Sequence, residues 1–458
     1  MELRDWVVEA VDTVAKWEAG WGPYREHEAV AVSDELMAER FAELRDRLAD
    51  NYPFFHPRYA GQMLKPPHPA AVVGYLTAML INPNNHALDG GPATAQMEKE
   101  AVAALAAMFG LPEHLGHLTS SGTIANLEAL FVARETHPGR AVAFSAESHY
   151  THARMCQLIG VPTQVVPADD EGRMDLSALD DVLRHGEVGT VVVTAGTTGL
   201  GAVDPIDEVL VLARQHGVRV HVDAAYGGFY TLLAGLPDGL PAQPWRAIAE
   251  CDSVVVDPHK HGLQPYGCGA VLFRDPSVGR FYRHDSPYTY FTSTELHLGE
   301  ISLECSRAGA AAAALWLTQQ VLPLTAEGLG AVLAVNLRTA RRWARLIEAS
   351  EFLTLYQEPR LDIVTYFPAV TPRATSAIDA ASAAMMQAGM TSNDPVFLSV
   401  LQVSADAMAR RHPEVAVDSA GARVLRSVLM KPEDDPYLDR LHRRVEELAA
   451  AQLHSATS

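Results

Sequence analysis

A chain of 458 residues is longer than a single typical core, so we expect one large domain with one or two smaller ones. The formal net charge of −20 argues against a nucleic acid or an anionic membrane surface as a partner, because both would repel the chain. Hydrophobic residues make up 48%, as in an ordinary globular protein, and no run of about 18 apolar residues predicts a membrane span.

The four cysteines indicate free thiols. They are far apart and form no C-x-x-C pair, which disfavours a disulfide framework. They are Cys156, Cys251, Cys268 and Cys305. The N-terminal residues also lack the apolar stretch of a signal peptide. We therefore expect a cytoplasmic protein whose cysteines are reduced core residues.

The first part of the chain is predicted to be helical. Residues 1 to about 50 place apolar and charged side chains at helical spacing, and proline-containing loops follow. Residues 71–81 and 94–109 predict two further helices. We predict that residues 1–95 form an N-terminal helical segment.

Strands and helices alternate in the predictions between residues 117 and 275. Short apolar runs predict strands at residues 141–144, 163–166, 190–194, 219–222 and 253–256. The alternation is typical of an α/β fold with a mostly parallel sheet, in which ligands bind at the carboxyl ends of the strands. We predict a large domain of this kind over residues 96–335.

A second, smaller α+β domain is predicted for residues 336–458. Residues 308–349 are alanine-rich and predict helix. Four strands are then expected at residues 352–356, 363–367, 396–403 and 424–429. A helix is predicted after these strands, at the C-terminal end of this domain.

Lys260 is the first candidate for chemistry. It follows the predicted strand at 253–256 and the break at Pro258, and a histidine stands on either side of it. A lysine at a strand end among apolar residues is partly desolvated, and a neutral amine is what a Schiff base with an aldehyde requires. The alternative is a surface lysine in a turn.

Two further groups suggest an anion site and a buried carboxylate. Thr119-Ser-Ser-Gly-Thr123 precedes a predicted helix, whose N-terminus can bind an anion, although an ordinary helix cap gives the same pattern. Asp223 ends an apolar strand, so it requires a partner, either a protonated pyridine nitrogen or an arginine. No Lys of a nucleotide P-loop is present, which disfavours ATP.

His149 follows another predicted strand, in Ser145-Ala-Glu-Ser-His149-Tyr-Thr-His152. Its imidazole could stack on a flat ring. The H-x-x-H spacing also allows a metal pair, but no third ligand follows at a recognised interval, so we expect no metal site.

Four blocks of the sequence occur in one order: Ser121-Gly-Thr123, Ser148-His-Tyr150, His221-Val-Asp-Ala-Ala225 and Asp257-Pro-His-Lys260. In combination they resemble the signature blocks of the group II pyridoxal-phosphate-dependent amino-acid decarboxylases. That family includes the glutamate, aromatic amino acid, cysteine-sulfinate and archaeal tyrosine/aspartate decarboxylases. The resemblance implies a PLP fold-type I (aspartate-aminotransferase-like) architecture and a homodimer with active sites at the subunit interface.

The resemblance also implies roles for individual residues toward pyridoxal 5′-phosphate (PLP). Lys260 would form the Schiff base, Asp223 would pair with the pyridine nitrogen, and His149 would stack on the ring opposite Ala225. Around the phosphate and the rest of the cofactor it implies Ser121, Gly122, Thr123, His259 and Thr198. For the substrate it implies Arg307 as the receptor of the carboxylate, with His56, Tyr59, Asn85 and His86 in blocks that line the pocket.

The sequence departs from the family pattern, or leaves a choice open, at two places. Asp257 stands where many members have Asn, which puts a carboxylate near the phosphate; the archaeal branch is similar here. The family carries a mobile loop tyrosine that protonates Cα, and this chain offers two candidates, Tyr288 and Tyr290. A structural turn is the alternative, and His149 is a second candidate proton donor.

The predicted function is the PLP-dependent α-decarboxylation of an L-amino acid to a primary amine and CO₂. The aromatic and neutral polar character of the pocket blocks favours an aromatic or mid-sized substrate, with an acidic one such as aspartate or glutamate as the alternative. Another fold-type I aldolase, lyase or aminotransferase is the rival enzyme class. A binding protein without chemistry is the other rival, which Lys260, Asp223 and His149 together disfavour.

Overall fold

The computed structural model describes residues 2–283 and 297–455. Tyr288 and Tyr290 lie outside the described residues. The predicted N-terminal arm forms two helices, α1 (Leu3–Ala19) and α2 (Asp34–Leu48). The two helices predicted next are present as α3 (Pro69–Ile81) and α4 (Pro92–Met108). Prolines begin both α3 and α4, where the missing amide hydrogen removes no helical hydrogen bond.

A seven-stranded sheet organises the larger part of the chain. Its strands are β1 (Leu115–Thr119), β2 (Ala141–Ser145), β3 (Thr163–Val166), β4 (Val188–Thr194), β5 (Arg219–Asp223), β6 (Ser253–Val256) and β7 (Gly269–Phe273). They lie in the order β1-β7-β6-β5-β4-β2-β3. Among them β7 alone is antiparallel to its neighbours, so the prediction of a mostly parallel sheet is confirmed.

Helices cover both faces of this sheet. They are α5 (Gly122–Thr136), α6 (Thr151–Leu158), α7 (Leu176–Arg184), α8 (Ile206–His216) and the short α9 (Ala242–Ala247). Successive residues of a strand point to opposite faces. Val191 and Val193 accordingly pack in the core with α4, α7 and α8, whereas Val192 packs with α5 and α6.

The C-terminal part forms a separate antiparallel sheet of four strands in the order β10-β11-β9-β8. The strands are β8 (Leu353–Gln357), β9 (Ile363–Pro368), β10 (Ser399–Ser404) and β11 (Gly421–Val428). The helices after β7 are α10 (Leu298–Ile301), α11 (Gly309–Val321), α12 (Leu329–Glu348), α13 (Thr375–Thr391), α14 (Ala405–Arg411) and α15 (Asp434–Ser455). The domain boundary predicted at 335/336 falls inside α12 and stays a prediction.

Three details differ from the sequence predictions. Strands β1 and β7 were not predicted, because β1 is short and contains Gly116 and His117. The helical stretch predicted at 308–349 is two helices, and the chain between α11 and α12 turns at Pro323. Three cysteines are buried thiols as predicted, but Cys305 is exposed.

A buried ion pair joins α4 and β1 to the segment that precedes α11. The Arg307 guanidinium bonds to the carboxylate of Glu98 and to the carbonyl oxygens of Leu118, Asn85 and Gly299. Glu98 also accepts from the Leu118 amide at 2.9 Å. Burial opposes ionisation of Glu98, but Arg307 outweighs it and holds the carboxyl pKa below its usual value.

No helix in residues 2–283 and 297–455 is long and apolar enough to cross a membrane.

Candidate active site

Strand ends bring the predicted cofactor residues together at one edge of the large sheet. Ser121 follows β1, His149 follows β2, Thr198 follows β4, Asp223 ends β5 and Lys260 follows β6. These strands run in the same direction, so their carboxyl ends meet. The five residues line one cavity of about 260 Å³, together with Gly122, Thr123, Ala225 and His259. All nine residues predicted to contact the cofactor therefore surround one space.

The Lys260 amine lies at the wall of this cavity and is paired. Its Nζ atom is 3.0 Å from Oδ2 of Asp257. Nδ1 of His259 lies 2.7 Å from the Cys268 carbonyl oxygen, and its Nε2 lies 3.5 Å from the same oxygen of Asp257. Nε2 of His261 lies 2.7 Å from Oδ2 of Asp362. The amine thus stands beside a carboxylate and not in the apolar surroundings expected from the sequence.

Asp223 presents a nearly buried carboxylate to the opposite part of the cavity. Oδ1 accepts a hydrogen bond from the Ala225 amide at 3.1 Å, and Oδ2 lies 2.8 Å from Nε2 of His152. Burial alone would raise the pKa of Asp223, but the hydrogen bond with His152 and the nearby Lys260 lower it well below the usual value. The carboxylate therefore remains ionised and can balance a cation in the cavity.

His149 stands at the cavity wall at the start of α6. Its Nδ1 lies 2.7 Å from the hydroxyl of Thr151, which orients the ring. Burial lowers the pKa of His149, so the imidazole is mainly neutral at neutral pH. A neutral, oriented imidazole is suited to stacking on a flat ring.

The N-terminus of α5 forms the third side of the cavity. Ser121 caps the helix by accepting from the Ile124 amide at 3.3 Å, and Gly122 and Thr123 follow. A Cβ atom at Gly122 would lie 2.6 Å from Oδ2 of Asp257, so only glycine allows this approach. Free backbone donors and hydroxyls at a helix N-terminus suit a phosphate.

The residues present fit PLP. The helix terminus suits its phosphate, Asp223 its pyridine nitrogen, His149 its ring face and Lys260 its aldehyde. The unpartnered Oδ1 atom of Asp257 is a buried acceptor beside the same helix terminus. The Asp257 carboxylate is the unusual element here, because it would lie close to a phosphate bound at this helix terminus.

Arg307 does not lie among the residues that line the cavity. Its guanidinium is buried, and Glu98 and three carbonyl oxygens take its two terminal nitrogens. The expectation that Arg307 receives a substrate carboxylate is therefore not supported by its contacts in this chain. Motif position identified a buried arginine, but the direction of its long side chain depends on Glu98, which lies 209 residues away in sequence.

The four residues predicted for the substrate pocket also lie outside the cavity lining. Asn85 is buried against Glu98 and Thr94. Tyr59 packs with Tyr52 and Phe397. His56 contacts the ring of Tyr437, and the ring of His86 lies beside Gly90.

Several cavity residues were missed by the sequence analysis, among them Asn126, Thr194 and Tyr226. Asn126 is four residues beyond Gly122, on the same face of α5, and a helical projection from the predicted anion site would have found it. Tyr226 directly follows Ala225. His152 had been considered only as half of a metal pair.

Comparison with known proteins identifies the family of the chain. The pyridoxal-dependent decarboxylase conserved domain matches residues 41–367. The L-tyrosine decarboxylase of Enterococcus faecium is 29% identical over 416 residues, covering 69% of this chain and 68% of that protein. The L-aspartate decarboxylase of Thermococcus kodakarensis is 29% identical over 336 residues, covering 72% and 84%.

Solved structures support the same fold. Mouse CSAD superimposes with a TM-score of 0.78 at 23% identity, over 92% of this chain and 90% of that one. Oryza sativa TDC with PLP and tryptamine gives 0.77 at 18% identity, over 97% of both chains. These likenesses show a PLP fold-type I architecture. The domain match and the two decarboxylase relatives show that the chain belongs to the pyridoxal-dependent decarboxylases and is a PLP-dependent amino-acid decarboxylase.

Proposed function

We propose that this decarboxylase acts on an aromatic or mid-sized neutral L-amino acid and releases the primary amine and CO₂. The supporting observation is the single cavity that joins Lys260, Asp223 and His149 to the N-terminus of α5. PLP supplies an electron sink for the charge left when CO₂ departs. The protein's own residues bind, orient and protonate.

Within this proposal each cavity residue has one task. Lys260 would hold the cofactor aldehyde covalently through its amine. Asp223 would hold a proton on the pyridine nitrogen, and His149 and Ala225 would contact the two faces of the ring. The phosphate contacts would be Ser121, Gly122, Thr123 and His259, and Thr198 also lines the cavity.

The proton returned to Cα is assigned to the loop tyrosines. The lowered pKa of His149 leaves little of the imidazolium form at neutral pH, so only a small fraction of the molecules would carry a proton to donate. This supports Tyr288 or Tyr290 as the donor and leaves His149 the stacking role.

Arg426 is the guanidinium that we propose for the substrate α-carboxylate in place of Arg307. It lies on β11 and is 4% exposed. Its Nε atom donates to the carbonyl oxygen of Gly199, which directly follows the cavity residue Thr198, and Nη1 donates to Gln62. Arg426 does not line the cavity either, but its terminal nitrogen Nη2 is buried without a hydrogen-bond partner in the described part of the chain, whereas both terminal nitrogens of Arg307 are taken. A buried donor without an acceptor supports a ligand contact, and a carboxylate matches the arginine fork.

The charges at the cavity support a neutral substrate side chain. Asp223 and Asp257 are acidic, and no arginine belongs to the cavity lining in the described residues. An acidic side chain would therefore lack a charged partner there. Aspartate or glutamate stays the alternative, because the relatives include decarboxylases named for tyrosine and for aspartate.

The N-terminal arm supports a homodimer within the same proposal. No residue of α2 is buried, although Met37, Phe41, Leu44 and Leu48 are large and apolar. An apolar helix face of this size is characteristic of an interface. We propose a second copy of the chain as its partner, which is consistent with the interfacial active sites implied by the resemblance.

A cytoplasmic location completes the proposal. It is supported by Cys156, Cys251 and Cys268, which are buried and unpaired. Free thiols are typical of a reducing compartment.

The substrate class is tested by measuring CO₂ release across the standard L-amino acids. We expect an aromatic or mid-sized amino acid to have the highest kcat/KM, with aspartate and glutamate at least about tenfold lower, or roughly 1.4 kcal/mol of barrier. Amine formation in equal amount is the control for decarboxylation. A preference for aspartate would establish the acidic alternative, and a keto acid as main product would contradict the reaction.

The cofactor attachment is tested by borohydride reduction and peptide mapping. We expect PLP on Lys260 and loss of visible absorption in Lys260→Arg. Lys65→Arg is the matched control, because burial lowers the Lys65 pKa to about 8 and makes it a competing amine outside the cavity lining. Label on Lys65, or on neither lysine, would contradict the assignment.

The two buried arginines are predicted to differ in what they support. Arg307→Met leaves the buried carboxylate of Glu98 without its charged partner, so we expect the free energy of unfolding to fall by about 3–5 kcal/mol. Arg426→Gln should raise KM at least about tenfold, roughly 1.4 kcal/mol, while PLP absorption remains. Denaturant titration and steady-state kinetics measure the two effects. A raised KM with unchanged stability in Arg307→Met would instead support Arg307 as the residue that binds the substrate α-carboxylate.

The dimer is tested by sedimentation of a double variant of α2. Phe41→Glu with Leu44→Glu places charges on the apolar face, and we expect a shift from dimer to monomer. Arg45→Glu, on the same helix, is the control and should leave the dimer intact. A monomeric wild-type protein would rule out the proposal.

A further inference from the structure

His152 is a fully buried side chain for which the proposed mechanism has no use. It lies in the first turn of α6, three residues after His149. The two histidines of the H-x-x-H pair serve different places: His149 lines the cavity, whereas His152 does not and reaches Asp223. His152 thus supports the carboxylate from the protein side.

The contacts of Asp223 leave its carboxylate no freedom to turn. Oδ1 is held by the Ala225 amide at 3.1 Å and Oδ2 by Nε2 of His152 at 2.8 Å. Asp223 nevertheless lines the cavity, so the remaining lone pairs can accept from a ligand. Removing His152 would free one of the two oxygens.

The tautomer of His152 follows from its surroundings. Its Nδ1 atom is buried and has no hydrogen-bond partner in the described chain. A proton on Nδ1 would be an unsatisfied buried donor, so the favoured tautomer carries its proton on Nε2 and donates to Asp223.

The neighbouring His221 does not compete for this contact. Its Nδ1 lies 2.8 Å from the Ser253 hydroxyl and its Nε2 lies 2.9 Å from Oδ1 of Asn126. Burial lowers the pKa of His221 to about 3, so it is neutral at neutral pH. His152 is therefore the side chain that donates to Asp223.

We propose that His152 is a positioning residue that holds Asp223 in place and makes it a weaker base, so that the shared proton stays on the pyridine nitrogen of PLP. The inference rests on the proposed pairing of Asp223 with that nitrogen. A carboxylate that already accepts a hydrogen bond competes less strongly for a further proton. The cofactor consequently keeps the charge that makes its ring an electron sink.

The proposal is tested by comparing two cofactors on the full-length protein. PLP carries the pyridine nitrogen, and 1-deaza-PLP replaces it with a carbon. We measure the dissociation constant of each by quenching of protein fluorescence, for wild type, His152→Phe and His152→Gln. The glutamine variant retains an amide donor near the position of Nε2.

We expect His152→Phe to weaken PLP binding at least tenfold and 1-deaza-PLP binding less than threefold, because only PLP contacts Asp223 through its nitrogen. His152→Gln should recover PLP binding to within about threefold of wild type. Equal weakening for both cofactors, or no weakening, would overturn the role of His152. If His152→Phe does not fold, His152→Asn, whose amide stops short of Asp223, carries the same comparison.

His117 supplies the matched control. Its Nε2 lies 2.8 Å from Oε2 of Glu128, both side chains are fully buried, and neither lines the cavity. His117→Phe should leave the ratio of the two dissociation constants at the wild-type value, whatever it does to stability. A changed ratio of the two dissociation constants in His117→Phe would mean that a nonspecific loss of stability produces the same effect, and it would overturn the proposal.

The outcome for wild type tests the proposed function separately. Tighter binding of PLP than of 1-deaza-PLP supports the pairing of Asp223 with the nitrogen. Equal affinities in wild type would contradict that pairing itself, whereas a wild-type preference that survives in His152→Phe would contradict only the positioning role.

Discussion

A carboxylate removed from water must be paired, because leaving it alone costs several kcal/mol. Four of the pairs in the described residues illustrate this constraint: Glu98 with Arg307, Asp362 with His261, Asp223 with His152 and Asp257 with Lys260. The first two pairs are closed to the cavity and tie segments of the chain together. The last two face the cavity, where a ligand can exchange for one partner. The difference between a structural and a chemical carboxylate is thus one of access.

The pair of Asp362 and His261 connects the smaller sheet to the active site. Asp362 directly precedes β9, and His261 directly follows Lys260. Nδ1 of His261 also lies 2.9 Å from the carbonyl oxygen of Tyr226, a cavity residue. Burial opposes ionisation of Asp362, yet His261 holds the carboxyl pKa below its usual value. The backbone beside Lys260 is therefore anchored by a buried hydrogen bond to Asp362, which directly precedes the first residue of β9.

Most of the fold and of the cofactor site followed from the sequence. β-Branched runs and helical spacing predict the central strands. Four short motifs predict eight of the residues that surround one cavity, and the resemblance adds Thr198. Strands β1 and β7 were not predicted, because β1 contains Gly116 and His117 and because its pairing with β7 joins segments far apart in sequence. The position of the Arg307 side chain was not predicted for a related reason. A motif gives only the residue type, whereas Glu98, from a distant helix, determines where the guanidinium lies.

The close approach of Gly122 to Asp257 has an evolutionary consequence. The space that a side chain at position 122 would need is occupied by the carboxylate of residue 257. The two positions therefore form one unit of substitution: a Cβ at 122 can be accommodated only if residue 257 shortens or withdraws. An exchange of Asp257 for a smaller residue would remove a charge beside the N-terminus of α5 and would also relax the demand for glycine. In this protein, the electrostatics and the steric tolerance of this helix terminus cannot change independently.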